Sequence, residues 1–221
     1  MNTPELIVML TKDDYTVNNA YNIFEECKHS KAKYWGFKES PLPLEEMKRL
    51  FSYMKSCSKI TVLEVIAYTE EEGLKGAQIA IECGCDILLG TVYHDSIYML
   101  CKQNNIKYMP FIGKIKKRPS ILYGTIDEII AEADSCIKKG VFGFDLLAYR
   151  YDGDSEELIT RFLSNINAPV CIAGSINTYN RLDTIKECSP WAFTIGEAFF
   201  NNQFDGNFEE QINKVYDYIQ S

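Results

Sequence analysis

The sequence predicts an α/β chain folded as a single closed (β/α)8 TIM barrel with parallel strands. Three observations predict it. A short apolar, β-rich run followed by an amphipathic stretch of helical period recurs eight times. Strict strand–helix alternation implies parallel strands, because each pair then needs a crossover connection. Eight such units fill the 221 residues without a linker, so residues 1–221 are read as one domain. An open doubly wound sheet would use the same alternation, but eight even repeats favour closure.

The elements follow in order along the chain. The first strand is the apolar run Leu6–Thr11. The second, Tyr34–Lys38, alternates: Trp35 and Phe37 belong against the helix layer, which turns Gly36 and Lys38 inward. Ser40-Pro-Leu-Pro-Leu-Glu-Glu then places prolines and acids where a helix starts. In the third strand, Ile60–Tyr68, Leu63, Val65 and Ala67 share one face, and Glu64 and Tyr68 share the other. A carboxylate cannot face an apolar layer unpaired, so Glu64 points into the barrel. A one-residue slip would bury both charges of Lys38 and Glu64 in that layer. The next helix stops at Gly84. Cys85–Val92 is the fourth strand, followed by His94 and Asp95 at a helix start. Lys107–Gly113 is the fifth, followed by the longest loop, Gly113 to Thr125. Thr125-Ile-Asp-Glu has the spacing of a capping box, and its helix stops at Gly140. In the sixth strand, Val141–Tyr149, Phe142, Phe144 and Leu146 look outward, which turns Asp145 and Tyr149 inward. Pro169–Ser175 is the seventh strand, with Asn177 as cap of the helix after it. Trp191–Phe199 is the eighth, and Phe208–Ile219 the last helix.

Composition narrows the partners. The net charge is −8 and the pI about 4.9, which disfavours nucleic acid and anionic membranes, since both need a positive field. The one dense basic run, Lys114-Ile-Lys-Lys-Arg118, lies in the long loop. It reads as a solvated segment or as a lid over an anion. The opening Met-Asn-Thr-Pro-Glu carries no basic n-region and Leu6–Leu10 is too short to span a bilayer, so no leader is expected. The eight cysteines form no CxxC pair and read as reduced, mostly buried hydrophobes of a cytoplasmic protein. The sequence leaves the oligomeric state open, a homo-oligomer included.

The main functional signal sits at the last two strand ends. Cys171-Ile-Ala-Gly-Ser-Ile176 ends in a small-residue turn, and Trp191-Ala-Phe-Thr-Ile-Gly-Glu-Ala-Phe-Phe200 breaks at Gly196. Glycine lets the backbone approach a ligand closely, and N–H groups at helix starts are unpaired. Gly174, Ser175, Gly196 and Glu197 therefore form a candidate phosphate cradle. Two ordinary strand ends would carry the same glycines. Lys38 and Glu64 project from adjacent strands into one interior, with Asp145 approaching from the far side. They are the candidate catalytic groups, Lys38 as ammonium acid or amine nucleophile and the carboxylates as acid/base groups; a structural ion pair is the alternative. Arg150 and Tyr149 are candidate rim groups for a carboxylate or hydroxyl. Lys12 and Lys114 end strands one and five, within reach of a ligand or of solvent.

Ala173-Gly-Ser-Ile and Ile195-Gly-Glu-Ala resemble the strand-seven and strand-eight turns of the ribulose-phosphate-binding barrels. That superfamily includes indole-glycerol-phosphate synthase, phosphoribosyl-anthranilate isomerase, ribulose-phosphate and N-acetylmannosamine-6-phosphate epimerases, and keto-deoxy-phosphogluconate aldolases. Gly36-Phe-Lys-Glu and Asp145-Leu-Leu-Ala-Tyr-Arg-Tyr-Asp-Gly-Asp are similar to a bacterial family of uncharacterised activity related to these aldolases. The resemblance covers the whole chain in architecture and the last quarter in motif. It implies a phosphate bound at the last two strands. Glu197 stands where indole-glycerol-phosphate synthases also carry a Glu, which fits a contact through backbone alone. The aldolases' strand-six lysine has no counterpart in Gly143-Phe-Asp-Leu-Leu-Ala-Tyr149, and the epimerases' paired-histidine metal set is missing, since only His29 and His94 occur. No dinucleotide fingerprint follows strand one. The expectation is a metal-independent lyase (aldolase-like) or isomerase, without cofactor, acting on a small phosphorylated sugar or keto acid. The alternative is a non-catalytic phosphometabolite-binding or regulatory barrel.

Overall fold

The computed structural model describes residues 3–221. Eight parallel strands close into a barrel: β1 (Glu5–Met9), β4 (Tyr34–Lys38), β5 (Ile60–Val65), β6 (Ile87–Val92), β7 (Lys107–Phe111), β10 (Phe144–Leu146), β11 (Val170–Ile172) and β12 (Ala192–Ile195). Each pairs with its neighbour in sequence order, and β12 returns to β1 with Val8 opposite Ile195. Two short antiparallel hairpins stand on the rim. One joins β2 (Thr11–Lys12) to β3 (Tyr15–Thr16); the other joins β8 (Lys114–Lys116) to β9 (Ile121–Tyr123). The second occupies the segment expected as the long loop.

The helices between barrel strands are α1 (Ala20–Cys27), α2 (Leu44–Ser56), α3 (Glu70–Glu82), α4 (Asp95–Gln103), α5 (Ile126–Lys139), α6 (Ser155–Asn165) and α7 (Tyr179–Cys188). The short α8 (Glu197–Phe200) and α9 (Phe208–Gln220) complete the chain. Thr125 and Glu128 make the expected capping box, and Gly140 ends α5 in the left-handed region. The cap of α7 is Thr178, one residue beyond the expected Asn177, whose side chain instead accepts from Arg181 (3.1 Å).

Strand alternation divides the core into two layers. Trp35 and Phe37 face outward as expected; Trp35 meets Phe24 edge-on and Phe37 stacks on Phe51 of α2. Inside the barrel, Ile7, Met9, Val62, Leu89, Met109 and Cys171 fill the lower interior. Phe142 departs from expectation. It lies before β10, not within a strand, so the alternation does not reach it; it closes the barrel floor edge-on to Trp191, which meets Tyr34 in the same way. A packed floor leaves the open end of the strands as the place for a ligand. All eight cysteines are unpaired, and among the described residues no helix is long and apolar enough to cross a membrane.

Candidate active site at the barrel mouth

At the C-terminal ends of the strands lies a cavity of about 230 Å³. Lys38 and Glu64, adjacent in the β4–β5 register, both turn into it, as the alternation of their strands requires. Lys38 Nζ lies 3.5 Å from Glu64 Oε1 and is in contact with Asp14 Oδ1. The side chains of Lys38, Asp14 and Glu64 are 6%, 2% and 11% exposed, so this ion pair network is desolvated. Its backbone is fixed as well. Thr16 Oγ1 accepts from the Lys38 N–H (2.9 Å) and donates to the Lys38 carbonyl (2.7 Å).

Asp14 is the hub, and sequence reasoning missed it. It sits in the turn between β2 and β3 with φ +66°, outside any periodic pattern. Three cations converge on its carboxylate: Lys38, Arg150 (NH1 to Oδ1, 3.4 Å) and Arg118 (Nε to Oδ2, 3.3 Å). A conformation that favours Asp or Asn right after the first strand is the one signal that points there. Arg118 also reaches Glu39 (3.6 Å) and lies over the Tyr15 ring (4.5 Å). The β8–β9 hairpin is thus moored across the rim to the β2–β3 turn. Tyr68, beyond the end of β5, adds to the mooring by donating to the Lys117 carbonyl (2.6 Å).

Asp145 points into the barrel as expected and is buried beneath this network, 1% exposed, with neither carboxylate oxygen in a hydrogen bond. Burial, reinforced by the charge of Glu64, holds it well above the usual carboxylate range, against the pull of Lys38, the Gly90 backbone and Arg150. Burial likewise raises Glu39.

Two expected site residues lie elsewhere. The extended strand stops at Leu146 and the chain enters a 3-10 turn at Ala148–Arg150, where period-two alternation no longer applies. Arg150 enters the cavity, while Tyr149 turns towards α7, with the Arg181 guanidinium over its ring at 4.7 Å. Lys114 is 68% exposed and stands 3.8 Å from Glu128, away from the cavity. Lys12 is exposed too.

The residues expected to form the cradle lie on another wall of the cavity. Gly174, Ser175, Gly196 and Glu197 all line the cavity. Gly174 (φ +88°) and Ser175 (φ +52°) are consecutive left-handed residues, and a Cβ on Gly174 would meet Arg150 Cγ at 2.8 Å. Gly196 is forced by packing, since its Cβ would meet Thr11 Oγ1 at 2.5 Å. Among the described residues, the N–H groups of Gly174, Ser175, Ile176 and Asn177 have no hydrogen-bond partner. At the start of α8, among the described residues, the N–H groups of Glu197 and Ala198 have no partner either, while that of Phe199 donates to the Gly196 carbonyl (3.0 Å). Arg181, which sequence reasoning also missed, braces the turn by donating to the Ser175 carbonyl. Among the described residues no three His, Cys, Asp or Glu side chains gather as a metal-ligand set.

No protein-family model matches the chain, and no curated protein matches it in sequence. Solved structures do match its fold. Orotidine 5'-phosphate decarboxylase from Pyrococcus horikoshii superposes with a TM-score of 0.72 at 14% identity, covering 98% of this chain and 99% of that one. Tryptophan synthase from M. tuberculosis gives 0.71 at 10% identity, covering 99% and 94%. Phosphoribosylanthranilate isomerase from Thermotoga maritima gives 0.63 at 14% identity, covering 99% of each chain. The chain therefore shares the (β/α)8 barrel fold of these proteins along its full described length.

Proposed function

We propose that the protein is an enzyme acting on a small phosphorylated metabolite, a lyase or isomerase that works by proton transfer. One observation carries the reading. Two runs of residues whose backbone N–H groups have no partner, Gly174 to Asn177 and Glu197 with Ala198, line the same cavity as a desolvated Lys38–Glu64 pair. Backbone donors left unpaired at a cavity wall are costly unless an acceptor completes them, and a phosphate dianion suits such a cradle. The superposing structures, which include an orotidine 5'-phosphate decarboxylase and a phosphoribosylanthranilate isomerase, support the same class.

In this reading Lys38, paired to two carboxylates, acts as an ammonium acid. Glu64 is the base that receives a substrate proton, and Asp145 is the buried carboxyl that tunes it. Arg150 orients the ligand between the chemical groups and the cradle. The cavity reaches Lys38 and Glu64, which favours catalysis over a purely binding barrel, where a sealed ion pair would suffice.

The test is direct. Crystals soaked in phosphate are expected to hold the anion against the amides near Ser175 and Glu197. Turnover over a panel of sugar and keto-acid phosphates is expected to disappear in Lys38→Ala. An anion bound elsewhere, or Lys38→Ala and Glu64→Gln both at full turnover, contradicts the proposal.

A further inference from the structure

The wall that faces the cradle constrains the rest of the ligand. The cavity holds about 230 Å³, below the roughly 300–1,000 Å³ of pockets for drug-sized ligands. No aromatic ring is among the described residues that line it. Planar bases and aryl groups are held chiefly by stacking, and this cavity supplies no platform for it. The wall is polar instead. Asp14, Lys38 and Glu64 line one end of it together, while Arg150 packs against Gly174 and Thr11 against Gly196.

That end is rich in acceptors. Asp14 and Glu64 present carboxylate oxygens to it. The ammonium of Lys38 there is engaged by Asp14 and Glu64, and Arg150 stands beside the Gly174 turn, at the phosphate end. A ligand carboxylate would meet these acids without a spare cation, at a like-charge cost. Hydroxyl groups donate to carboxylates and accept from the ammonium, so they satisfy the wall in both directions.

Resting on the phosphate reading above, we infer that the ligand is a short phosphate monoester with a neutral, polyhydroxylated chain, and that the site rejects esters carrying an aromatic base or a carboxylate at the far end. Glu64 and Asp14 read the hydroxyls, and the absence of a ring platform sets the exclusion.

Calorimetry on the full chain separates the possibilities with four probes: inorganic phosphate, D-erythritol 4-phosphate, 4-phospho-D-erythronate and uridine 5'-monophosphate. The two four-carbon esters differ only in a terminal hydroxymethyl against a carboxylate. The erythritol ester is expected to bind at least about tenfold tighter than phosphate, the worth of one charge-assisted hydrogen bond. The erythronate and the nucleotide are expected to bind no tighter than phosphate. Glu64→Gln is expected to cost the erythritol ester about tenfold and to leave inorganic phosphate where it was. Tighter binding of the erythronate or the nucleotide than of the erythritol ester overturns the inference while the phosphate site stands. Failure of all four probes to bind overturns the phosphate site itself, and this inference with it.

Discussion

At the scale of the residue, the site is a set of buried charges held against one another. Lys38 is ion-paired with Asp14 and Glu64, which places its Nζ between two carboxylates. Lys38→Ala is therefore expected to lower turnover by roughly 10²- to 10⁴-fold, the usual worth of a positioned acid. Borohydride with a carbonyl substrate is expected to add no mass to the peptide containing Lys38; a trapped adduct seen by mass spectrometry would make it a Schiff-base nucleophile instead. Asp145 makes the opposite case. Burial keeps its proton on in the folded chain after the unfolded chain has lost it. Its contribution to stability is thus present below the unfolded carboxylate value near 3.9 and is lost as pH rises from there towards the raised folded value. Asp145→Asn keeps the shape and removes the titration. The variant is expected to gain stability relative to wild type as pH goes from about 4 to 7, at up to about 1.4 kcal/mol per pH unit. Urea unfolding at both ends of that range measures it, and a constant difference would remove the argument from burial. Both residues were legible in the sequence because a charge inside an otherwise apolar strand has one tolerable face. Asp14 was not, because a turn carries no periodicity to place it.

At the scale of the element, regular segments were legible and irregular ones were not. Tyr34–Lys38 was read to the residue, because Trp35 and Phe37 mark one face of a strand that ends in a charge. Val141–Tyr149 was read three times too long, since apolar residues continue past the point where the backbone leaves the extended region. That excess put Tyr149 in the cavity by an alternation that had already stopped. The strand-seven turn was legible from its small residues, though the reason for its glycine differs in part from expectation. At Gly174 a side chain would collide with the stem of Arg150 and sit at a φ reserved for glycine. Gly174→Val is therefore expected to weaken phosphate binding by displacing both the turn and Arg150. Titration with inorganic phosphate checks it, and unchanged affinity would separate the cradle from this turn. The α5 cap gives a control far from the cavity. Thr125→Ala removes one half of a reciprocal pair of bonds with Glu128. It is expected to cost about 1 kcal/mol in thermal or urea unfolding and to leave phosphate binding intact.

At the scale of the whole molecule, eight repeats specified a closed barrel because each repeat lacks a partner for its last strand edge until the eighth meets the first. What the repeats did not specify is how the rim is tied. The β8–β9 hairpin follows the fifth barrel strand, yet its Arg118 holds the turn after the first through Asp14, and Glu39 after the second. Three separate units of the repeat thus meet at one guanidinium, a long-range contact that no local pattern encodes. Removing it should loosen the rim and spare the barrel. Asp14 keeps Lys38 and Arg150 in Arg118→Ala, so it is not left as an unpaired buried charge. Arg118 is itself 31% exposed, which discounts the cost further. The expected loss is about 1–2 kcal/mol, well below the several kcal/mol of breaking an isolated buried pair. Hydrogen exchange localises the effect. Amides of the β8–β9 hairpin are expected to exchange faster in the variant, while those of the barrel strands follow the global stability. The Leu122–Tyr151 bridge still holds β9 and the Tyr68 hydroxyl still holds the tip at the Lys117 carbonyl, so the opening of the hairpin should be partial. Uniform acceleration across the barrel would instead show that Asp14 depends on Arg118 for its burial, and that the rim and the barrel unfold as one unit.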